Sequence, residues 1–224
     1  MNQFKNAWAY TFANWKYFLA LGLPVIAVEF MVAYIVMPIG EMDHIDDIIG
    51  FFESNSSIIG LVGIAGLIIQ VSFIGGLYVS YMSIESNIRI NPVNALAAGL
   101  SKFLPLLGAY LLLTLVVSFG FILLVIPGIY LSARFSLFAA QIMFEDNKVG
   151  ESISASWEKT DQHSMRLFIL TSMFLALSFV VSVLLATFIP VGIIQLLILS
   201  IVEYIFVIPL GYIYFTLYKS LKSN

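Results

Sequence analysis

Apolar residues fall in six long runs, roughly 17–37, 58–82, 103–126, 129–144, 167–189 and 193–218. A helix needs ~20 mostly apolar residues to cross ~30 Å of hydrocarbon. Each run therefore predicts a membrane-spanning helix, the fourth being the shortest and carrying Arg134. The runs are continuously apolar rather than alternating, which argues against a β-barrel. Only Pro127-Gly128 separates the third run from the fourth, and only Pro190-Val191-Gly192 the fifth from the sixth. Proline disfavours helix in the residue before it and glycine frees the backbone, so both sites predict tight turns. Read as one helix, 103–144 would be about twice as long as a crossing requires.

The hairpins are preceded by amphipathic stretches. Phe4, Trp8, Phe12 and Trp15 fall near one helical face, Val93, Leu96, Ala97, Leu100 and Phe103 form a second stripe, and Val149, Ile153 and Trp157 a third. Asn91-Pro92 is a helix start, with Asn as cap and Pro in the first turn. Each stretch is expected to lie in the membrane interface, apolar face toward lipid. A basic residue, an apolar run, a Pro/Gly turn and a second apolar run then follow. The basic-to-proline pairs Lys16–Pro38, Lys102–Pro127 and Arg166–Pro190 are each about one crossing apart. The expected fold is all-α: a single membrane domain over 1–224 with six transmembrane helices in three hairpins, each preceded by an interfacial helix, and with candidate repeats 1–82, 83–144 and 145–224.

Composition agrees with a membrane location. The 224 residues are 61% hydrophobic and 10% charged, against about 25% charged in soluble domains. Ten basic residues against thirteen acidic ones leave no positive field for nucleic acid. The absence of cysteine excludes disulfides and thiolate metal sites. The polar-aromatic start lacks a signal-peptide pattern, so the first span is expected to be retained as an anchor. With both termini in the cytoplasm, Lys5, Lys16, Arg89, Lys102, Lys148, Lys159, Arg166, Lys219 and Lys222 all fall inside, as the positive-inside rule requires. The outer segment 41–57 carries Glu41, Asp43, Asp46, Asp47 and Glu53 without Lys or Arg, and is read as a solvated acidic loop.

Val125-Ile126-Pro127-Gly128-Ile129-Tyr130, the run to Phe144-Glu145-Asp146, and Val149 through Trp157 to Arg166 resemble the YciC family of bacterial inner-membrane proteins. The same arrangement is similar to the membrane domain attached to some glycerophosphodiester phosphodiesterases. The likeness is strongest over about 120–170. It implies a six-helix protein of the bacterial inner membrane. That family has no established activity, so no catalytic or ligand residues carry over from it.

Charged groups inside the membrane cost at least ~2.5–3.5 kcal/mol each. Three invite a role: Glu29 in the first span, Arg134 in the fourth and Glu203 in the sixth. As a site, a glutamate would titrate and Arg134 would serve as its counter-ion or as an anion anchor. As structure, the carboxyls would be hydrogen-bonded between helices and Arg134 would reach the outer headgroups. Gln70, Gln141 and Gln195 read as interhelical hydrogen-bonders, and the small residues Gly60, Gly63, Gly66, Ser72, Gly76 and Ser80 as a close-packing stripe. Pro209 and Gly211 predict a kink in the last span. His44 and His163 lie outside the spans, and there is no zinc motif, catalytic triad or phosphate loop. No catalytic residue, cofactor or metal is therefore expected. The bilayer is the expected partner, together with a lipid ligand or a membrane-protein partner. Two readings follow: a non-enzymatic protein for small-solute or lipid transport and membrane homeostasis, or an envelope scaffold that binds protein partners.

Overall fold

The computed structural model describes residues 2–222, and among these every regular element is helical. The order is α1 (Asn2–Ala13), α2 (Trp15–Val36), α3 (Ile45–Glu85), α4 (Pro92–Ser101), α5 (Phe103–Leu123), α6 (Val125–Arg134), α7 (Phe138–Glu145), α8 (Val149–Lys159), α9 (Ser164–Phe188) and α10 (Ile193–Lys222). Six segments are long and apolar enough to cross a membrane: α2, α3, α5, α6 with α7, α9 and α10. Short helices α1, α4 and α8 each precede a pair of these.

Three expectations change. The acidic segment is not a loop, because α3 starts at Ile45 and carries Asp46, Asp47 and Glu53. Asp46 and Asp47 sit in its first turn, where the helix dipole favours negative charge. Ile45, Ile48, Ile49 and Phe52 recur at helical spacing along it. At 41 residues the helix is about 60 Å long, twice the hydrocarbon thickness.

The turn after α5 is made by Leu124, which is extended (φ −165°, ψ 154°), and not by Pro127-Gly128. Pro127 is the third residue of α6, where its missing N–H costs no helical bond. Gly128 serves a close helix contact instead: a Cβ there would lie 2.4 Å from the Phe121 ring, and one on Gly120 would lie 2.9 Å from the Gly128 backbone.

The fourth span is broken. Ten-residue α6 reaches only about 15 Å, and the chain bends at Phe135–Leu137 before α7. A break leaves backbone groups that hydrocarbon cannot satisfy. Here α8 satisfies them. Ser156 Oγ accepts from Leu137 N–H at 3.0 Å and donates to the Arg134 carbonyl at 3.0 Å, and Thr160 Oγ1 donates to that same carbonyl at 3.0 Å. Tyr78 on α3 donates to the Ser136 carbonyl at 2.8 Å. The buried face of α8 is Ser152, Ser156 and Thr160, while Val149 and Ile153 are half-buried and Trp157 is exposed.

The other short helices also dock on the bundle. On α1, Phe4 and Trp8 pack on Phe174 of α9, while Phe12, and Trp15 at the start of α2, stay exposed. On α4, Ala95 and Gly99 press into α3: a Cβ on Gly99 would lie 2.1 Å from the Ser72 carbonyl oxygen. Val93 and Leu100, on the stripe read from the sequence, remain exposed. Part of the small-residue stripe of α3 therefore serves packing within the chain, whereas Gly60 and Gly63 meet nothing. Pro209 lies within α10, beside Gly211, and Tyr81 of α3 fills that place, its hydroxyl donating to the Ile208 carbonyl.

Burial is uneven along the helices. No residue of α2 after Ile26, of α3 before Val71 or of α9 after Phe174 is buried. The core occupies the end of the bundle where Lys219 pairs with Glu85, Lys222 with Glu145 and Lys102 with Asp146. Toward the opposite end the hairpins part.

Candidate functional site

Where the packing stops, a cleft of about 920 Å³ opens between α2, α3, α9 and α10, with Tyr110 of α5 reaching its lining. Its walls are mainly aliphatic, with Val28, Val32, Leu196 and Leu199 among them. Its polar lining includes Glu29 of α2, Gln70 of α3, Ser178 and Ser182 of α9, and Ser200 and Glu203 of α10. No lysine, arginine or histidine is among the lining residues.

Each polar group is placed by the helix that carries it. Glu29 follows Ile26, the last buried position of α2, by about one turn, and Gln70 immediately precedes Val71, the first buried position of α3. Tyr204 of α10 is buried, with its ring edge-on to Phe73 at 5.3 Å. Its hydroxyl donates to Glu29 Oε1 and lies 3.2 Å from Gln70 Oε1. Glu203, the preceding residue on α10, points into the cleft and has no hydrogen-bond or ion-pair partner among the described residues. It lies close enough to Glu29 for the two carboxylates to repel each other. Trp8 packs on two of the lining residues, stacked on Phe174 at 5.7 Å and edge-on to Phe206 at 5.4 Å.

Of the three charged residues singled out from the sequence, Glu29 and Glu203 thus meet in one cleft, and Arg134 does not join them. Arg134 is 2% exposed. Its guanidinium donates to Asp161 Oδ1 at 2.7 Å and to the Trp157 carbonyl at 2.6 Å, and lies 4.1 Å from the Trp157 ring centre. It is neither a counter-ion to the glutamates nor exposed to headgroups. It pins the break in the fourth span to the end of α8 and the turn before α9, because a planar fork of donors can hold two oxygens and a ring face at once.

The glutamines divide in the same way. Gln195 donates to the Ala186 and Ile189 carbonyls at 3.0 and 2.8 Å and so caps the end of α9. Gln141 accepts from Lys159 Nζ at 3.0 Å. Only Gln70 belongs to the cleft. Among the described residues there is no cluster of three or more His, Asp or Glu side chains able to hold a metal.

The fold and the cleft define a polytopic, all-helical membrane protein embedded in a lipid bilayer. No protein-family model, curated protein or solved structure matches the chain.

Proposed function

We propose that the chain is a non-enzymatic protein of the bacterial inner membrane that accommodates a small solute or a lipid in the cleft at Glu29 and Glu203, in transport or membrane homeostasis. One observation carries this reading: an unpartnered carboxylate faces an open, mainly aliphatic cleft at the point where helix packing ends. Intramembrane charge without a protein partner is a mark of function, since its insertion cost is otherwise unreturned. The lysine pairs gathered at the end of the bundle that holds the core support cytoplasmic termini. The resemblance of 120–170 to the YciC family supports both that family and the inner-membrane location.

The test is extraction into polymer nanodiscs without detergent, followed by mass spectrometry of what travels with the protein. A small molecule or lipid bound to the wild type and lost in Ser182→Trp, which fills the cleft, supports the reading. The same profile for both proteins overturns it.

A second reading, an envelope scaffold, rests on the first turns of α3. There Ile45, Ile49 and Phe52 are exposed beside Asp46, Asp47 and Glu53. It expects a stoichiometric protein partner in the same extraction, lost when Ile45, Ile49 and Phe52 are replaced by serine.

A further inference from the structure

The polar groups of the cleft differ in what they can still bond. The hydroxyl proton of Tyr204 is already given to Glu29. What remains is acceptor-rich: four carboxylate oxygens against a glutamine amide, serine hydroxyls and the Tyr110 hydroxyl, with no cationic side chain in the lining. A carboxylate in an apolar setting is strongly unfavourable unless it is neutralised or given hydrogen-bond donors. Glu203 receives neither from the described residues, which leaves a bound proton or a bound cation to neutralise it. A guest that supplies positive charge together with N–H donors would correct both deficits, and the aliphatic walls would take its apolar part.

Building on the reading of the cleft as a ligand site, we infer that its guest is a lipophilic organic cation, a protonated amine with an apolar body. Its charged head lies between Glu203 and Glu29, and its body lies along Val28, Val32 and Leu199. An aminophospholipid shares the ammonium chemistry but brings a phosphate. The lining holds no basic group to receive that phosphate, and the two carboxylates repel it. The selection is therefore for net positive charge, against anionic and zwitterionic amphiphiles alike. Glu203 carries more of it than Glu29, because Glu29 already has the Tyr204 hydroxyl for a partner.

The experiment uses the full chain in phosphatidylcholine nanodiscs, with empty discs as background, and equilibrium dialysis against tetraphenylphosphonium and its mirror in charge, tetraphenylborate. The cation is expected to bind saturably and the anion not, and octylamine is expected to displace the cation where octanol does not. Glu203→Gln should weaken binding of the cation at least tenfold and Glu29→Gln by less, with both variants still unfolding in one cooperative transition. Equal binding of both probes, abolished for both by Ser182→Trp, would overturn the charge selection while leaving the cleft as a ligand site. Displacement of tetraphenylphosphonium when phosphatidylethanolamine is added to the discs would assign the site to a lipid headgroup and overturn the choice of a phosphate-free amine. Saturable binding of neither probe, with co-extracted molecules unchanged by Ser182→Trp, would overturn both.

Discussion

Tyr204 on α10 donates its hydroxyl to the carboxylate of Glu29 on α2, across 175 positions of sequence. The bond holds the glutamate at the cleft and spends the phenolic donor of Tyr204 there. Tyr204→Phe is expected to leave the fold intact and lower stability by about 0.6–1.7 kcal/mol, from the average to the upper end for interhelical hydrogen bonds in membranes. Thermal unfolding in nanodiscs reads the loss. An unchanged transition would mean that the bond contributes nothing to holding α2 against α10.

Arg134→Ala is expected to be the more damaging change. It removes two charge-assisted hydrogen bonds and a ring contact from a buried position. Asp161 is 73% exposed and water recovers part of its interaction, so the loss is about 2–3 kcal/mol rather than that of a fully buried pair. Arg134→Lys should recover little, because a point charge cannot serve Asp161 and the Trp157 carbonyl together. Comparing the melting temperatures of the two variants decides whether the fork or merely the charge matters.

Ser156→Ala deletes the acceptor of Leu137 N–H inside the break of the fourth span. A buried donor without a partner costs about 1–3 kcal/mol. The expected signature is local, with faster hydrogen exchange at residues 135–140 and little change in the core of α10. Uniform protection across that segment would assign the stability of the bend to α3 and Tyr78 instead.

Gly99→Ala and Gly60→Ala should act in opposite directions. At Gly99 a methyl group meets the Ser72 backbone, and overpacking of this kind costs about 1–3 kcal/mol. At Gly60 it meets nothing, and replacing a helical glycine should add about 0.5–1 kcal/mol. Melting both variants in the same discs checks the two signs. Equal shifts would show that the close approach of α4 to α3 is easily relieved.

The six crossings were legible because a run of ~20 apolar residues has one stable solution in lipid. The break at Phe135–Leu137 was hidden inside such a run, since hydropathy records composition and not the register of backbone bonds. Ser152, Ser156 and Thr160 did offer a signal, three hydroxyls at spacings of four along α8. They mark the face that α8 buries, beside the stripe of Val149, Ile153 and Trp157 that is expected to face lipid. Glu29 and Glu203 stood out because charge is rare in spans, but their convergence depends on how the first hairpin meets the last. Arg134 was equally conspicuous. Its partners, Asp161 and the Trp157 carbonyl, lie outside the apolar runs, where a carboxylate or a backbone oxygen carries no insertion cost that would mark it in the sequence. Tyr204 carried no signal apart from its place beside Glu203.

α2 beyond Ile26, α3 before Val71 and α9 beyond Phe174 hold no fully buried side chain. These arms are tied at separate points instead: Val28 lies against Gly66, the Tyr204 hydroxyl holds Glu29, and Gln195 holds the end of α9. The width of the cleft therefore hangs on a few point contacts rather than on a packed core, and changing one of them alters the mouth of the site without touching the core that carries it.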